Sequence, residues 1–219
     1  MNKLTTTGLC AIMALIATNT SAQTTDYKFK FGTEKTGGIT PVSPATVYTA
    51  GGYGFDLGTA PQAVDAAKKG VSLVGSDKAF YFSVDEPEGN YKITVKLGGA
   101  KEATVTTVRA ESRRLMLEKV ETKPGESVTK TFIVNIRKPD ISTGGQVKLS
   151  GRELHKLDWD NKLTLEFNNV KSCVEEIDIA KADDQITLYL CGNSTVVDQD
   201  DEPWASWGQM IPRFFKPGV

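Results

Sequence analysis

The sequence predicts a mainly β protein: an antiparallel β-sandwich or jelly roll, followed by the first strand and helix of an α/β unit. Three observations carry this. Apolar residues alternate with period two in several β-branched runs between residues 27 and 180. Gly, Pro and Asn turn signals separate those runs, and helical periodicity is nearly absent from the same span. From about residue 184 the pattern changes to a compact apolar run, a turn, an acidic loop and a helix-like repeat.

Residues 1–22 read as a signal peptide. Met1-Asn2-Lys3 gives a positive start, residues 9–17 form an uncharged apolar run, and Thr20-Ser21-Ala22 places small residues before Gln23. The run is too short for a spanning helix, which needs roughly 20 residues. This layout is a better match than a buried N-terminal helix, and Cys10 lacks the context of a lipoprotein cleavage site. The expectation is a secreted or periplasmic protein beginning near Gln23, with no membrane segment after cleavage.

The strands follow in order. "YKITVKLG" (residues 91–98) sets Tyr91, Ile93, Val95 and Leu97 against Lys92, Thr94 and Lys96, one face buried and one wet. "KTFIVNIR" (130–137), "KLTLEFNN" (162–169) and "VEEIDIA" (174–180) behave alike. Turn signals stand between them: Pro87-Glu88-Gly89-Asn90, Gly98-Gly99, Pro124-Gly125, Thr143-Gly144-Gly145 and Asn168-Asn169. Only "PQAVDAAKKG" (61–70) suggests a short helix. "QITLYLC" (185–191) suits a strand of a parallel sheet buried on both faces. Glu202-Pro203 then makes a helix start, with Trp204, Trp207, Ile211 and Phe214 at helical spacing; Trp204 and Trp207 are expected in the core rather than stacked on sugar. One strand and one helix cannot bury each other's faces, so this unit is expected to be only the start of a domain.

Composition narrows the chemistry. A formal net charge of −1 over 219 residues supplies no basic field for nucleic acid. Cys173 and Cys191 could bridge in an oxidising compartment, but apolar surroundings favour two buried free thiols. His155 is the single histidine and no cysteine is near it, so no zinc site is predicted; no metal or cofactor is expected.

The stretch "GNSTVVDQDDEPWASWGQMIPRFF" (192–215) resembles the first block of rhamnogalacturonan acetylesterase-like proteins within the SGNH (GDSL-type) hydrolases. Gly192, Ser194, Thr195, Val196, Asp198, Gln199, Trp204, Trp207, Gly208 and Gln209 carry the match. "GYGFDLG", "YFSVDEPEGNYKITVKLG", "VRAESRRLMLE" and "LDWDNKLTLEFN" resemble the galactose-binding-like N-terminal domain of the multidomain bacterial members. The resemblance implies a signal peptide over 1–22, a galactose-binding-like sandwich over 23–182, and the N-terminal part of an SGNH hydrolase domain over 183–219. It implies deacetylation of acetylated pectic polysaccharide, with Ser194 as nucleophile and its backbone N–H as an oxyanion donor. Gly192 would let the backbone approach closely, and Asn193, where the family carries Asp, would position the turn. The family's remaining oxyanion donors and its Asp-x-x-His base belong to later blocks and do not occur in residues 195–219. This chain alone is therefore expected to be catalytically incomplete. His155 would make a poor substitute base, because Asp158 follows it where the family's acid precedes.

Further residues are weighed on the same terms. Asp198, Asp200, Asp201 and Glu202 form an acidic loop, expected to be solvated and to cap the next helix rather than hold a metal. Tyr48, Tyr53 and Phe55 sit in a Gly-rich segment read as structural. Arg113 and Arg114 could pair with Glu111 and Glu118 across or along strands, a reading set above a galacturonate-binding role. The alternative to an esterase is a non-catalytic carbohydrate-binding or structural β-sandwich; a lipase or thioesterase of the same superfamily has no apolar lid in its favour.

Overall fold

The computed structural model describes residues 26–32, 37–199 and 201–218; the expected signal peptide over 1–22 lies outside the described residues. The strands are β1 (Tyr27–Phe31), β2 (Thr40–Val42), β3 (Tyr53–Asp56), β4 (Gln62–Val64), β5 (Leu73–Ser76), β6 (Phe80–Asp85), β7 (Gly89–Gly98), β8 (Thr104–Ala110), β9 (Arg114–Thr122), β10 (Ser127–Ile136), β11 (Lys162–Asn168) and β12 (Ser172–Lys181). They form two sheets. One runs β10-β7-β12-β1-β2, with β5 also beside β12 and β4 beside β5; the other runs β3-β6-β11-β8-β9. Pairing is antiparallel except between β1 and β2.

The alternation read from the sequence builds the first sheet. In β7, Tyr91, Ile93, Val95 and Leu97 are buried, and β10 sets Phe132, Val134 and Ile136 beside them. Aromatic rings fill the space between the sheets. Phe29 meets Phe82 at 5.1 Å between ring centroids, Phe31 meets Phe55 at 5.7 Å, and Phe80 stacks on Phe167 at 5.3 Å. Fully burying each such ring contributes roughly 1.5–3 kcal/mol over leaving it exposed.

The second sheet has a different character. In β11, Thr164 and Glu166 are buried along with Leu163, Leu165 and Phe167, so both faces are covered. The Thr164 hydroxyl bonds to that of Ser83 at 3.0 Å, Lys162 pairs with Asp56 at 2.7 Å, and Arg109 pairs with Glu166 at 3.4 Å. These cross-strand partners offset part of the cost of burial, while Glu166 Oε2 and Arg109 Nε have no hydrogen-bond partner among the described residues.

Three expectations are corrected here. Residues 61–70 form no helix: residues 62–64 are β4, and Ala66 bridges to Ala100, because the β5 edge offers this segment backbone partners. Residues 185–191 form no strand, and Ile186, Leu188 and Tyr189 are exposed. A parallel strand needs a neighbour to take its amides and carbonyls, and no described strand lies alongside this run. It is held at its start instead, by Asn90 Nδ2 donating to Thr187 Oγ1 at 3.0 Å and Ile186 N donating to Gly218 O at 3.2 Å. Both cysteines are free, but only Cys173 is buried; Cys191 is exposed on the unpaired run. Burial pushes the Cys173 thiol up to about 12, so it behaves as an inert apolar group. No helix among the described residues is long and apolar enough to cross a membrane.

Candidate active-site turn

The Gly192-Asn193-Ser194-Thr195 turn is closed by its own side chains. Asn193 Oδ1 accepts from Thr195 N at 3.1 Å and from Thr195 Oγ1 at 2.8 Å, while Asn193 O accepts from Val196 N at 2.9 Å and Val197 N at 3.1 Å. Asn therefore performs the local hydrogen bonding expected of the turn-positioning residue. Gly192 is required by space: a Cβ there would lie 2.4 Å from Val196 Cγ2. Ser194 is exposed at the apex. Its carbonyl accepts from Gln199 Nε2 at 2.8 Å, and neither its hydroxyl nor its backbone N–H makes a hydrogen bond among the described residues. An unencumbered hydroxyl and amide at one point is the arrangement that attack and oxyanion stabilisation require. A base is not in place. His155 ends an exposed single 3-10 turn (Glu153–His155), and no hydrogen bond joins it to Ser194 among the described residues.

The turn rests on a short helix, α1 (Trp207–Met210), that starts later than Glu202-Pro203 would suggest. Ser206 caps it: its hydroxyl accepts from Gln209 N at 3.1 Å, and Gln209 Oε1 accepts from Ser206 N at 3.1 Å, a complete capping box. The Ser-x-x-Gln spacing announces this start more strongly than the proline does. Trp204 and Trp207, expected in the core, are exposed at 70% and 50%, and Phe214 is exposed at 69%. The buried side of α1 is instead Gly208 and Gln209, with Ser206 before them. Gly208 lies so close to Val196 that a Cβ would meet its carbonyl oxygen at 2.0 Å. Small and polar groups let α1 sit directly on the Ser194 turn, where Trp207 N donates to Thr195 O at 3.0 Å and Ser206 Oγ to Val196 O at 3.0 Å.

The hairpin turn between β8 and β9 anchors this assembly to the sandwich. Glu111 and Arg113 are left-handed there, with φ +54° and +63°. Fully buried Gln209 donates from Nε2 to Ser112 O at 2.8 Å and to Gln199 O at 2.9 Å. Gln209 thus ties the hairpin turn to the residue that holds the Ser194 carbonyl. Arg113 donates to Gln199 O at 3.3 Å and Trp204 O at 3.1 Å. Arg113 and Arg109 both reach Glu202, at 2.7 Å and 2.8 Å, and hold its carboxyl below the usual range through hydrogen bonds and charge.

The acidic loop is therefore docked rather than simply solvated; Asp200 lies outside the described residues. Asp201 is exposed. Asp198 is nearly buried, 3.6 Å from Arg137, and its carbonyl accepts from Lys156 Nζ. Arg137 also pairs with buried Asp158, whose other oxygen accepts from Ser112 Oγ at 3.1 Å. Asp158 and Asp198 hydrogen-bond to each other through their carboxyls. Burial pushes Asp158 up, but Arg137, Asp198, Arg114 and Ser112 outweigh it and hold it below the usual range. Burial and the bond to Asp158 push Asp198 up to about 6 against Arg114 and Arg137. Of the pairings expected for Arg113 and Arg114, that with Glu111 is present and that with Glu118 is not. Arg113 takes Glu202, Arg114 lies 3.9 Å from Glu111 and donates to Asn135 O, and Glu118 pairs with Arg213. The long-range partners are residues that no local sequence pattern connects. Tyr48, Tyr53 and Phe55 are structural: Phe55 lies in the core, Tyr53 packs at 4.8 Å from Phe29, and Tyr48 bonds to Asp85. Among the described residues no group of three or more His, Cys, Asp or Glu side chains is arranged to hold a metal ion.

No family model and no curated protein matches the chain. Among solved structures, the protein YXIM from Bacillus subtilis is similar, with a TM-score of 0.51 and 24% identity over 88% of this chain and 52% of that one. The plant receptor-like kinase FER gives a TM-score of 0.47 at 10% identity, covering 75% of this chain and 44% of that one. Bacteroides uniformis beta-glucuronidase 2 gives 0.42 at 11% identity, covering 72% and 18%. This chain thus spans about half the length of the Bacillus protein, and its likeness to that protein is one of fold.

Proposed function

We propose that this chain carries the β-sandwich and nucleophile block of an exported carbohydrate esterase of the rhamnogalacturonan acetylesterase type, acting on acetylated pectic polysaccharide. The observation that carries the reading is Ser194. It stands exposed on a turn closed by Asn193, with its hydroxyl and N–H unengaged among the described residues. The sandwich is galactose-binding-like in this reading, and residues 183–219 begin the hydrolase domain. In the reaction, Ser194 Oγ would attack the acetyl carbonyl, the alcohol would leave with a proton from the base, and water would then release acetate. The base is not among residues 195–219, so the 219-residue chain by itself is expected to be inactive.

Reading the gene beyond the Val219 codon, together with an acetate-release assay on acetylated pectin, tests this. The expected result is an open frame carrying Asp-x-x-His, with activity in the longer product abolished by Ser194→Ala. Turnover by the 219-residue chain that vanishes in Ser194→Ala would show that a base had been overlooked. Full activity of Ser194→Ala in the longer product would remove Ser194 as nucleophile.

A second reading is a structural or carbohydrate-binding module. It is favoured by a core built entirely from the sandwich, with the later residues clasped on its surface. Retention of the intact chain on immobilised pectic polymer, without hydrolysis, would support binding over a purely structural part.

A further inference from the structure

The nucleophile segment is fastened to the sandwich chiefly by charges and polar groups, and at the centre of that contact two carboxyl groups touch. Asp158 precedes β11 and its side chain is 2% exposed; Asp198 follows the Ser194 turn and its side chain is 12% exposed. Arg137 of β10 reaches both. We propose that this contact is a proton-held latch: Asp158 and Asp198 dock as a carboxyl–carboxylate pair over Arg137, and release of the nucleophile segment releases their shared proton.

The surroundings admit one negative charge more readily than two. Facing the pair are Arg137 from β10, Arg114 from β9, and Ser112 beside buried Glu111 at the hairpin turn. The stretch before β11 adds Glu153, Asp160 and Lys156, whose Nζ is already bonded to the Asp198 carbonyl. Two carboxylates in hydrogen-bond contact cannot both be ionised without strong repulsion, and a carboxyl–carboxylate hydrogen bond requires one proton between them. In the docked state that proton stays bound up to about pH 6, the value to which Asp198 is pushed. In the released state Asp198 is an ordinary aspartate that ionises near pH 4, while Asp158 keeps Arg137 and Ser112 on the sandwich. Docking therefore takes up a proton between about pH 4 and 6, and over that window its equilibrium constant falls by up to about tenfold per pH unit. Above about pH 6 both states have lost the proton and the dependence flattens. Below about pH 4 it reverses, because Glu202, held low by Arg109 and Arg113 only in the docked state, then favours release as it protonates.

The latch does not rest on the ester chemistry and is tested in the intact chain without substrate. Amide hydrogen exchange, corrected for the intrinsic rate, is followed for residues 194–209 at about pH 4.5, 5.5, 6.5 and 7.5, with β7 and β12 amides as the internal reference. Protection of 194–209 is expected to fall by up to about tenfold per unit to pH 6 and then level, while the reference strands hold. Asp198→Asn, which keeps a donor for Asp158 and has no proton to lose, is expected to be flat. A flat wild-type profile, or an Asp198→Asn profile with the wild-type slope, overturns the proposal. If Asp198→Asn leaves the segment unprotected at every pH, carboxyl NMR of the wild type decides. Asp198 titrating near pH 6, and returning to an ordinary value in Asp158→Asn, supports the latch; an ordinary wild-type titration overturns it.

Discussion

Glu111 occupies the most constrained position in the hairpin turn. Its side chain is buried, its φ is +54°, and it pairs with β11 twice, donating from N to Thr164 O at 2.8 Å and accepting at Oε1 from Thr164 N at 2.9 Å. Its second oxygen has no hydrogen-bond partner, with Arg114 3.9 Å away. Burial pushes this carboxyl from its ordinary 4.5 up to about 8, with Arg114 and the Thr164 amide opposing. A raised folded-state value favours the protonated carboxyl in the folded protein. The penalty is therefore absent in acid and grows as pH rises from about 4.5 towards 8. Glu86, raised to about 7 by burial, adds to the same trend. Glu111→Gln can still accept from the Thr164 amide and carries no charge. Its urea midpoint is expected to fall less between about pH 5 and 8 than that of wild type. Glu111→Ala, which leaves a buried amide unpaired, should lose about 1–3 kcal/mol relative to Glu111→Gln at every pH. Parallel pH profiles for wild type and Glu111→Gln would show that Glu111 is not buried as a proton-binding group.

At the scale of elements, α1 is seated through small and polar residues. Gly208 permits contact at the Val196 carbonyl, so Gly208→Ala forces α1 off the Ser194 turn. Exchange protection of Trp207, Gln209 and Met210 should then fall to that of an exposed turn while the strand amides are unchanged. Unchanged protection across α1 would refute the contact. The same helix shows what the sequence could reveal. Strand β7 is legible because only its inward residues are apolar, and the pattern alone fixes its buried face. Strand β11 was read the same way, yet Thr164 and Glu166 are also buried, since Ser83, Glu111 and Arg109 reach them from other strands and loops. Aromatic spacing over residues 204–214 suggested a buried stripe, but the residues that seat α1 are Ser206, Gly208 and Gln209. Their Ser-x-x-Gln capping pattern was readable, whereas the partners of Gln209 at Ser112 and Gln199 come from distant turns and were not. The turn around Ser194 was locally encoded; the Arg109, Arg113 and Arg137 side chains that fasten it were not.

For the molecule as a whole, the two regions are held by different forces. The main apolar cluster runs from Phe29 to Ile179 and takes none of the described residues from 183–219. The later residues add hydrogen bonds and ion pairs on its surface, including Glu202 with Arg109 and Arg113. Glu202 is largely exposed, and surface pairs of that kind contribute about 0–1 kcal/mol each. Removing residues 183–219 leaves Arg109 with Glu166 and Arg137 with Asp158, and it opens Arg113, whose partners Glu202, Gln199 and Trp204 leave with the segment, to water. A chain ending at Ala182 is therefore expected to retain its β circular dichroism and unfold cooperatively, within a few kcal/mol of the full chain. Trp204 and Trp207 go with the deletion, leaving Trp159, stacked 4.7 Å from the Arg137 guanidinium, as the only tryptophan. Its fluorescence should report one transition that coincides with the loss of β signal. A non-cooperative transition, or loss of structure at neutral pH, would mean that residues 183–219 support the sandwich core as well as resting on it.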